Sequence, residues 1–175
     1  MSKLLNRANN LNSLYQRAEK HWSAGKLSIA FDLFLEAAKR GFVPAYSRIA
    51  NFYDEGIGVK PNHAEALRWY MRAYREQPAW NRRANQLGAS SVANNIGCIL
   101  RDRGQTKLAI RWLQRAARLG DGDANLNIAK IYLRDPPRLR HAFCYLEKTC
   151  KADYVTDVSI EEARSLLRQM RRGSA

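Results

Sequence analysis

Three histidines, three cysteines and two adjacent pairs of acids are the residues of this chain whose types could carry chemistry. The histidines stand in different parts of the sequence, with no regular spacing to a cysteine or a carboxylate. The motifs HExxH, CxxC, GxSxG and the phosphate-binding loop are absent. Adjacent acids such as Asp54 and Glu55 diverge on a helix and so do not face one site. The sequence therefore predicts no catalytic residue, no metal site and no cofactor, and we expect a protein without enzymatic activity.

The cysteines give no sign of a disulfide framework. Cys144 and Cys150 lie six residues apart on one predicted helix, where they are poorly placed to bridge, and Cys98 is left over. We expect all three to be buried small apolar side chains in a reducing compartment. No secretion signal is visible at the N-terminus, and no apolar run is long enough to span a membrane. These features predict a cytoplasmic location.

The charge balance is strongly basic. Thirty lysines and arginines stand against 16 acids, which gives a formal net charge of +14 over 175 residues. Such a balance favours acidic partners, whether protein, nucleic acid or an anionic membrane surface, and does not choose among them.

Four predicted helices share the same order of small and large side chains, and any functional residue must be positioned by helices of this kind. Segments 30–41, 66–77, 109–120 and 142–153 align without gaps. Their shared columns are Ala30, Ala66, Ala109 and Ala142, then Leu33, Trp69, Trp112 and Tyr145, then Phe34, Tyr70, Leu113 and Leu146. Unrelated amphipathic helices would share a period but not this order, so the pattern predicts an internal repeat.

A further predicted helix precedes each of these, so the repeating unit is a helix pair. The predicted repeats are about 11–41, 44–77, 90–120 and 123–152, with an insertion at 78–88 and a capping helix at 159–172. Asn62 and Glu65 are expected to cap the second helix of the second repeat, and Ser159 and Glu162 are expected to cap this last helix. The sequence thus predicts an all-α chain. Its expected fold is one domain over 1–175, an α/α solenoid (superhelix) of about four helix-turn-helix repeats plus a C-terminal capping helix.

The second repeat carries a family resemblance. It matches the pattern Y-x2-G-x-G-V-x6-A-x2-W-Y-x2-A through Tyr53, Gly56, Gly58, Val59, Ala66, Trp69, Tyr70 and Ala73. This segment resembles the Sel-one-like repeat, a relative of the tetratricopeptide repeat, while the first and third repeats are closer to plain tetratricopeptide spacing. The resemblance implies an α/α superhelix that serves as a scaffold, adaptor or partner-binding module, usually without catalysis of its own.

The resemblance also implies two polar surfaces. First helices of such arrays line a concave groove, and the groove residues predicted to bind a partner are Tyr15, Trp22, Arg48, Asn51, Asn94, Asn95, Arg101, Asn127 and Lys130. Second helices form the convex outside, where a basic ridge is predicted from Arg68, Arg72, Arg75, Arg111, Arg115 and Arg118. Asparagine both donates and accepts hydrogen bonds, so the groove suits the backbone of an extended peptide. A stripe of charge such as the ridge is by default a solvated face.

The insertion is the part that does not fit the repeat register. It contains Trp80 beside Arg82 and Arg83, a combination common at protein-binding hot spots. The alternative is a short linker helix with Trp80 packed on the neighbouring helix pair, and the sequence favours neither.

These observations predict a non-enzymatic protein-protein interaction module, an adaptor, scaffold or inhibitor, that binds a protein or peptide of acidic character. Nucleic-acid binding along the basic ridge is the alternative. The sequence does not indicate the oligomeric state.

Overall fold

The computed structural model describes residues 2–76, 86–134 and 137–172, which contain nine α-helices and no β-strand. The helices are α1 (Ser2–Ser23), α2 (Leu27–Lys39), α3 (Pro44–Glu55), α4 (His63–Glu76), α5 (Gln86–Asp102), α6 (Thr106–Arg118), α7 (Gly122–Tyr132), α8 (Leu139–Cys150) and α9 (Asp157–Arg172). The chain forms two compact units, residues Met1–Gln77 and Pro78–Ala175. We call them the N-terminal and the C-terminal unit.

The N-terminal unit consists of the pairs α1–α2 and α3–α4 around an aromatic core. Phe34 and Phe52 are fully buried, with ring centroids 5.9 Å apart. Trp22 meets Phe52 edge-on at 4.9 Å, and Tyr15 meets Phe34 in the same way at 5.2 Å. Edge-to-face packing of this kind adds to the gain from burying the rings. The core therefore joins both helix pairs through four rings.

The C-terminal unit consists of the pairs α5–α6 and α7–α8, followed by α9. Leu126 and Ala129 of α7 and Leu146 of α8 are buried against Ala163 and Leu167 of α9. Without α9 these side chains would lose this cover, because α9 packs on the side of α7 and α8 that a neighbouring repeat would otherwise cover. The last helix therefore covers the end of the apolar core, as predicted.

The shared columns of the second helices lie where the repeat pattern predicts. The four alanines of the first column are fully buried, and Phe34, Tyr70, Leu113 and Leu146 are no more than 1% exposed. Leu33, Trp69, Trp112 and Tyr145, between those two columns, are half-buried. The alternation places small residues at the helix contacts and large residues in the gaps between them.

Two glycines show how tightly the helix pairs are built. A Cβ at Gly97 of α5 would lie 2.6 Å from Leu113 Cγ, so a side chain there would displace α6. Gly56 ends α3 in the left-handed conformation with φ 70°, which other residues adopt only at a cost. Both positions are glycine for reasons of packing and chain reversal.

Helix capping agrees with the sequence in one case and corrects it in another. Asn62 Oδ1 accepts hydrogen bonds from the backbone N–H groups of Ala64 and Glu65 at 3.1 Å, which caps α4 as predicted. The prediction for the last helix was wrong: Thr156 Oγ1 accepts from Ser159 N at 3.3 Å, and α9 begins at Asp157.

The physical reason lies in the segment before α9. Asp123 Oδ1 accepts from both Thr156 N and Thr156 Oγ1 at 3.0 Å, which fixes Thr156 at the helix start. Glu162, the other predicted capping residue, instead pairs with Lys130 of α7.

The structure also bears on the predicted insertion and cysteines. Residues 86–88 belong to α5, and Trp80, Arg82 and Arg83 lie outside the described residues. Cys98 and Cys150 are half-buried and Cys144 is exposed, so the expectation of three buried cysteines was wrong. All three are free thiols.

Replacing Gly97 tests the close packing of α5 on α6. We expect Gly97→Ala to lower the free energy of unfolding by about 1–3 kcal/mol, because the new methyl group overlaps Leu113. Urea unfolding followed by far-ultraviolet circular dichroism measures the change. Lys107→Ala, at an exposed site on α6, is the control and should stay within about 0.5 kcal/mol of the parent. Equal stability of both variants would contradict the packing described.

Candidate protein-binding surfaces

The first helices of the N-terminal unit bring together a polar cluster that we call the N-terminal polar face: Tyr15, Glu19, Trp22, Arg48 and Asn51. Arg48 of α3 lies at its centre, with its Nε 3.0 Å from Glu19 Oε1 of α1. The same Nε donates to the Tyr15 hydroxyl at 3.4 Å, and the guanidinium lies 5.2 Å from the centre of the Trp22 ring. The Arg48 side chain is 37% exposed, so the cluster faces solvent in part.

Burial fixes the protonation of the tyrosine in this cluster. Partial burial raises the pKa of the Tyr15 hydroxyl, although the neighbouring Arg48 acts in the opposite direction. Tyr15 is therefore neutral at physiological pH and keeps a proton to donate.

The side-chain oxygen of Asn51 already accepts a hydrogen bond within the protein. The Tyr70 hydroxyl of α4 donates to Asn51 Oδ1 at 2.6 Å. With its oxygen held by a donor, half-buried Asn51 presents Nδ2 as the group that can donate to a ligand.

The first helices of the C-terminal unit form a second cluster, which we call the C-terminal polar face: Asn94, Arg101, Asn127 and Lys130. Arg101 Nη1 of α5 donates to Asn127 Oδ1 at 3.1 Å, and Asn127 Nδ2 of α7 donates to Asn94 Oδ1 at 3.0 Å. Guanidinium groups only donate, so Asn127 must turn its oxygen to Arg101 and its amide nitrogen to Asn94. Asn94 accepts in turn, and its own Nδ2 ends the chain as a donor.

Acids of the chain neutralise the cations of this second face. Arg101 Nε lies 2.8 Å from Asp102 Oδ1, and Lys130 Nζ lies 2.8 Å from Glu162 Oε1 of α9. The remaining predicted groove residue, Asn95, is half-buried on α5. The structure therefore groups Tyr15, Trp22, Arg48 and Asn51 within one unit, and Asn94, Arg101, Asn127 and Lys130 within the other.

The basic ridge contains a feature that the sequence analysis missed. Arg72 lies 5.0 Å from the Trp69 ring centre, Arg115 lies 4.7 Å from Trp112, and Lys148 Nζ lies 4.7 Å from Tyr145. Each cation follows its aromatic residue by three positions in the aligned helices, which places the two side chains on one face. The aligned helices contain this spacing, but the aromatic column and the basic column do not indicate the stacking when each is considered alone.

Other ridge residues are also engaged. Arg68 pairs with Glu65 at 2.7 Å, and Arg75 Nε donates to the Met71 carbonyl at 3.3 Å. Arg72 pairs with Glu76 at 3.0 Å, and this hydrogen bond lowers the pKa of Glu76. Arg111 and Arg118 of α6 are exposed. On α4, therefore, the predicted ridge is largely neutralised by the protein itself.

Arginine stacking on α4 can be tested by comparing two arginines of the same helix. Arg72 bonds Glu76 and the Tyr46 hydroxyl and covers two rings, whereas Arg68 makes one exposed ion pair. We expect Arg72→Ala to lower the free energy of unfolding by about 1–2 kcal/mol. Arg68→Ala should change it by less than about 0.5 kcal/mol. Urea unfolding measures both, and equal effects would show that the stacking adds no stability.

Among the described residues, no group of three or more histidine, cysteine or acidic side chains could hold a metal ion. Within those ranges, no helix combines the length and the apolar character needed to cross a membrane.

Comparisons with known proteins agree with this architecture. The sequence profile of the Sel1 repeat matches residues 27–42, 43–77 and 95–121. A crystal structure of a Sel1 repeat protein from Oxalobacter formigenes is similar with a TM-score of 0.64 and 19% identity. A protective antigen of uropathogenic Escherichia coli, which displays an SLR fold, is similar with a TM-score of 0.62 and 17% identity. A comparison with curated proteins finds no match.

The extent of these similarities differs between the chains. The similarity covers 91% of this chain and 63% of the Oxalobacter protein. It covers 81% of this chain and 30% of the Escherichia coli antigen, so the chain spans less than two thirds of either. At these identities the structures establish the α/α solenoid fold. The repeat matches show that this chain contains Sel1 repeats, and the shared columns and the fold agree with them.

Proposed function

We propose that this chain is a non-enzymatic adaptor, scaffold or inhibitor that holds an acidic protein or peptide on its two polar faces. Sel1 repeats generally act as protein-protein interaction modules without catalysis. The observation that carries the proposal for this chain is the directed chain of hydrogen bonds from Arg101 through Asn127 to Asn94.

These hydrogen bonds orient an amide donor toward a ligand. Asn94 accepts a hydrogen bond through its oxygen, which polarises the amide and leaves Nδ2 to donate. Asn51 is in the same state on the N-terminal polar face, because Tyr70 donates to its oxygen. Donors that are already oriented lose little side-chain entropy when they bind. Peptide carbonyls and carboxylates are the acceptors that such donors fit.

Charge supports the acidic character of the partner. The net charge of +14 attracts acidic proteins over a distance of about 10 Å at moderate ionic strength. At the polar faces themselves Arg48, Arg101 and Lys130 already pair with acids of the chain. Long-range attraction therefore favours encounter, and the oriented amides of Asn51 and Asn94 hold the bound segment.

The alternative, nucleic-acid binding along the basic ridge, has weaker support. Trp69, Trp112 and Tyr145 are the ridge aromatics, and each is covered by a cation of its own helix. A base would have to displace that cation in order to stack on the ring.

Paired substitutions on the polar faces test the proposal. Tagged parent protein and the variant Asn51→Ala/Asn94→Ala are used for affinity purification from cells, with mass spectrometry of the captured proteins. We expect captured proteins of acidic isoelectric point, and at least about tenfold less capture by the variant, since each lost donor weakens binding by about 1 kcal/mol.

The control is Asn9→Ala, which removes an exposed asparagine of α1 outside both polar faces. It should capture as much partner as the parent, and all three proteins should keep the same helical circular dichroism. Undiminished capture by the double variant would contradict the proposed faces. Capture that depends on nucleic acid, and is lost after nuclease treatment, would favour the alternative.

A further inference from the structure

A cleft of about 550 Å³ opens in the C-terminal unit between the C-terminal ends of α6 and α8, away from the polar-face residues. Arg118 of α6, Lys148 of α8 and Lys151 supply three cations to its walls. Asn125 of α7 lines the same cleft, as do Asp153 and Tyr154 of the segment before α9. Its volume lies within the range of ligand pockets, about 300–1,000 Å³.

The segment that closes one side of the cleft is held in place by α7. Gly122 N donates to the Tyr154 carbonyl at 2.7 Å, and Asp123 binds Thr156 through two hydrogen bonds. A Cβ at Gly122 would lie 2.6 Å from both Ala152 Cβ and Val155 Cβ. The absence of a side chain at Gly122 thus lets this segment approach α7, and the cleft wall is a fixed part of the fold.

The cations of the cleft differ from those of the polar faces in having no acidic partner. Within the described ranges, Arg118, Lys148 and Lys151 form no ion pair, whereas Arg101 and Lys130 each have one. Asp153 is the acid among the lining residues, so the charge of the walls is positive by two. Low-dielectric walls concentrate such a field and favour an anionic ligand.

Asn125 is a second and independent sign of a ligand. It is 9% exposed, and in the described part of the chain its side-chain amide has no hydrogen-bond partner. Asn125 is not one of the described residues with a buried, unpaired side-chain atom, so its amide opens into the cleft and can bond a molecule that enters it. A bound ligand that offers both an acceptor and a donor would satisfy Asn125.

We propose that the α6–α8 cleft binds a short acidic peptide segment, with carboxylates paired to Arg118, Lys148 and Lys151. Asp153 then accepts hydrogen bonds from N–H groups of the peptide backbone. The Asn125 amide can accept from backbone N–H groups or donate to backbone carbonyls. Asp153 favours a peptide over a nucleic acid, because its carboxylate can accept hydrogen bonds from backbone N–H groups, which a phosphate backbone lacks. The proposal rests on the acidic-partner part of the proposed function and assigns that partner a second contact site.

The test uses the full chain and a fluorescein-labelled peptide of four glutamates, with binding followed by fluorescence anisotropy at low salt. We expect Arg118→Gln/Lys148→Gln to raise the Kd at least about tenfold, because two charge-assisted contacts are lost. The matched control is Lys107→Gln/Arg111→Gln, which removes the same charge from exposed sites on α6 that do not line the cleft. It should raise the Kd less than about threefold. Equal weakening by both pairs would show that only net charge attracts the peptide, and would overturn the site.

A second variant separates binding from folding. Asn125→Leu should raise the Kd of the peptide by at least about threefold while leaving the urea midpoint unchanged or higher, because the Asn125 amide forms no hydrogen bond within the described chain and leucine has a similar size. A lower midpoint would mean that Asn125 has a structural role, and would contradict its assignment to the ligand. Tighter binding of a tetrathymidylate than of the peptide, lost in Arg118→Gln/Lys148→Gln, would overturn the acidic-peptide assignment.

This test is separable from that of the proposed function. The variant Asn51→Ala/Asn94→Ala changes no residue that lines the cleft. Its affinity for the peptide should therefore equal that of the parent protein. A variant that loses partner capture through the polar faces should therefore still bind the peptide. The cleft variants should lose peptide binding and keep the polar faces.

Discussion

Paired helices approach each other closely at small residues, and this close approach determines which side of each helix is buried. Ala30, Ala66, Ala109 and Ala142 have no exposed surface, and Gly97 leaves no room for a methyl group beside Leu113. Apolar side chains of each second helix then fill the space between pairs, and polar side chains of the first helices are left toward solvent. The polar faces exist because the small residues fix which side of each helix is buried.

The same constraint explains why the polar side chains are ordered. Asn94 and Asn127 stand on neighbouring first helices 3.0 Å apart, and Arg48 reaches Glu19 across a similar gap. Side chains held this close satisfy one another and leave defined donors outward. The chain thus combines strong positive charge with polar faces whose own charges are paired. In the proposed function, therefore, different residues attract a partner and bind it.

Much of the fold could be predicted from the sequence because the repeat pattern records burial directly. The buried columns and the cap at Asn62 follow from residue type and spacing alone. The start of the last helix could not be predicted, because Thr156 is fixed by Asp123 from 33 residues away. Arg72 stacks on Trp69 because it follows Trp69 by three positions in the helix. This spacing is present in the sequence, and it indicates the stacking only when the aromatic and basic positions are considered together.

The candidate binding surfaces were less predictable, because their contacts join residues of different helices. Asn51 and Asn94 could be named as polar groove positions, but the direction of their hydrogen bonds depends on Tyr70 and Asn127 in other helices. The cleft at Asn125 depends on the 152–156 segment returning to α7, a contact that no local pattern indicates.

A partner that binds on the two polar faces must contact the first helices. Hydrogen–deuterium exchange of the full chain, with and without its affinity-captured partner, measures this contact. We expect slower exchange in α1, α3, α5 and α7 on binding, with smaller changes in α2 and α4. Protection confined to α2, α4, α6 and α8, with the first helices unchanged, would contradict it.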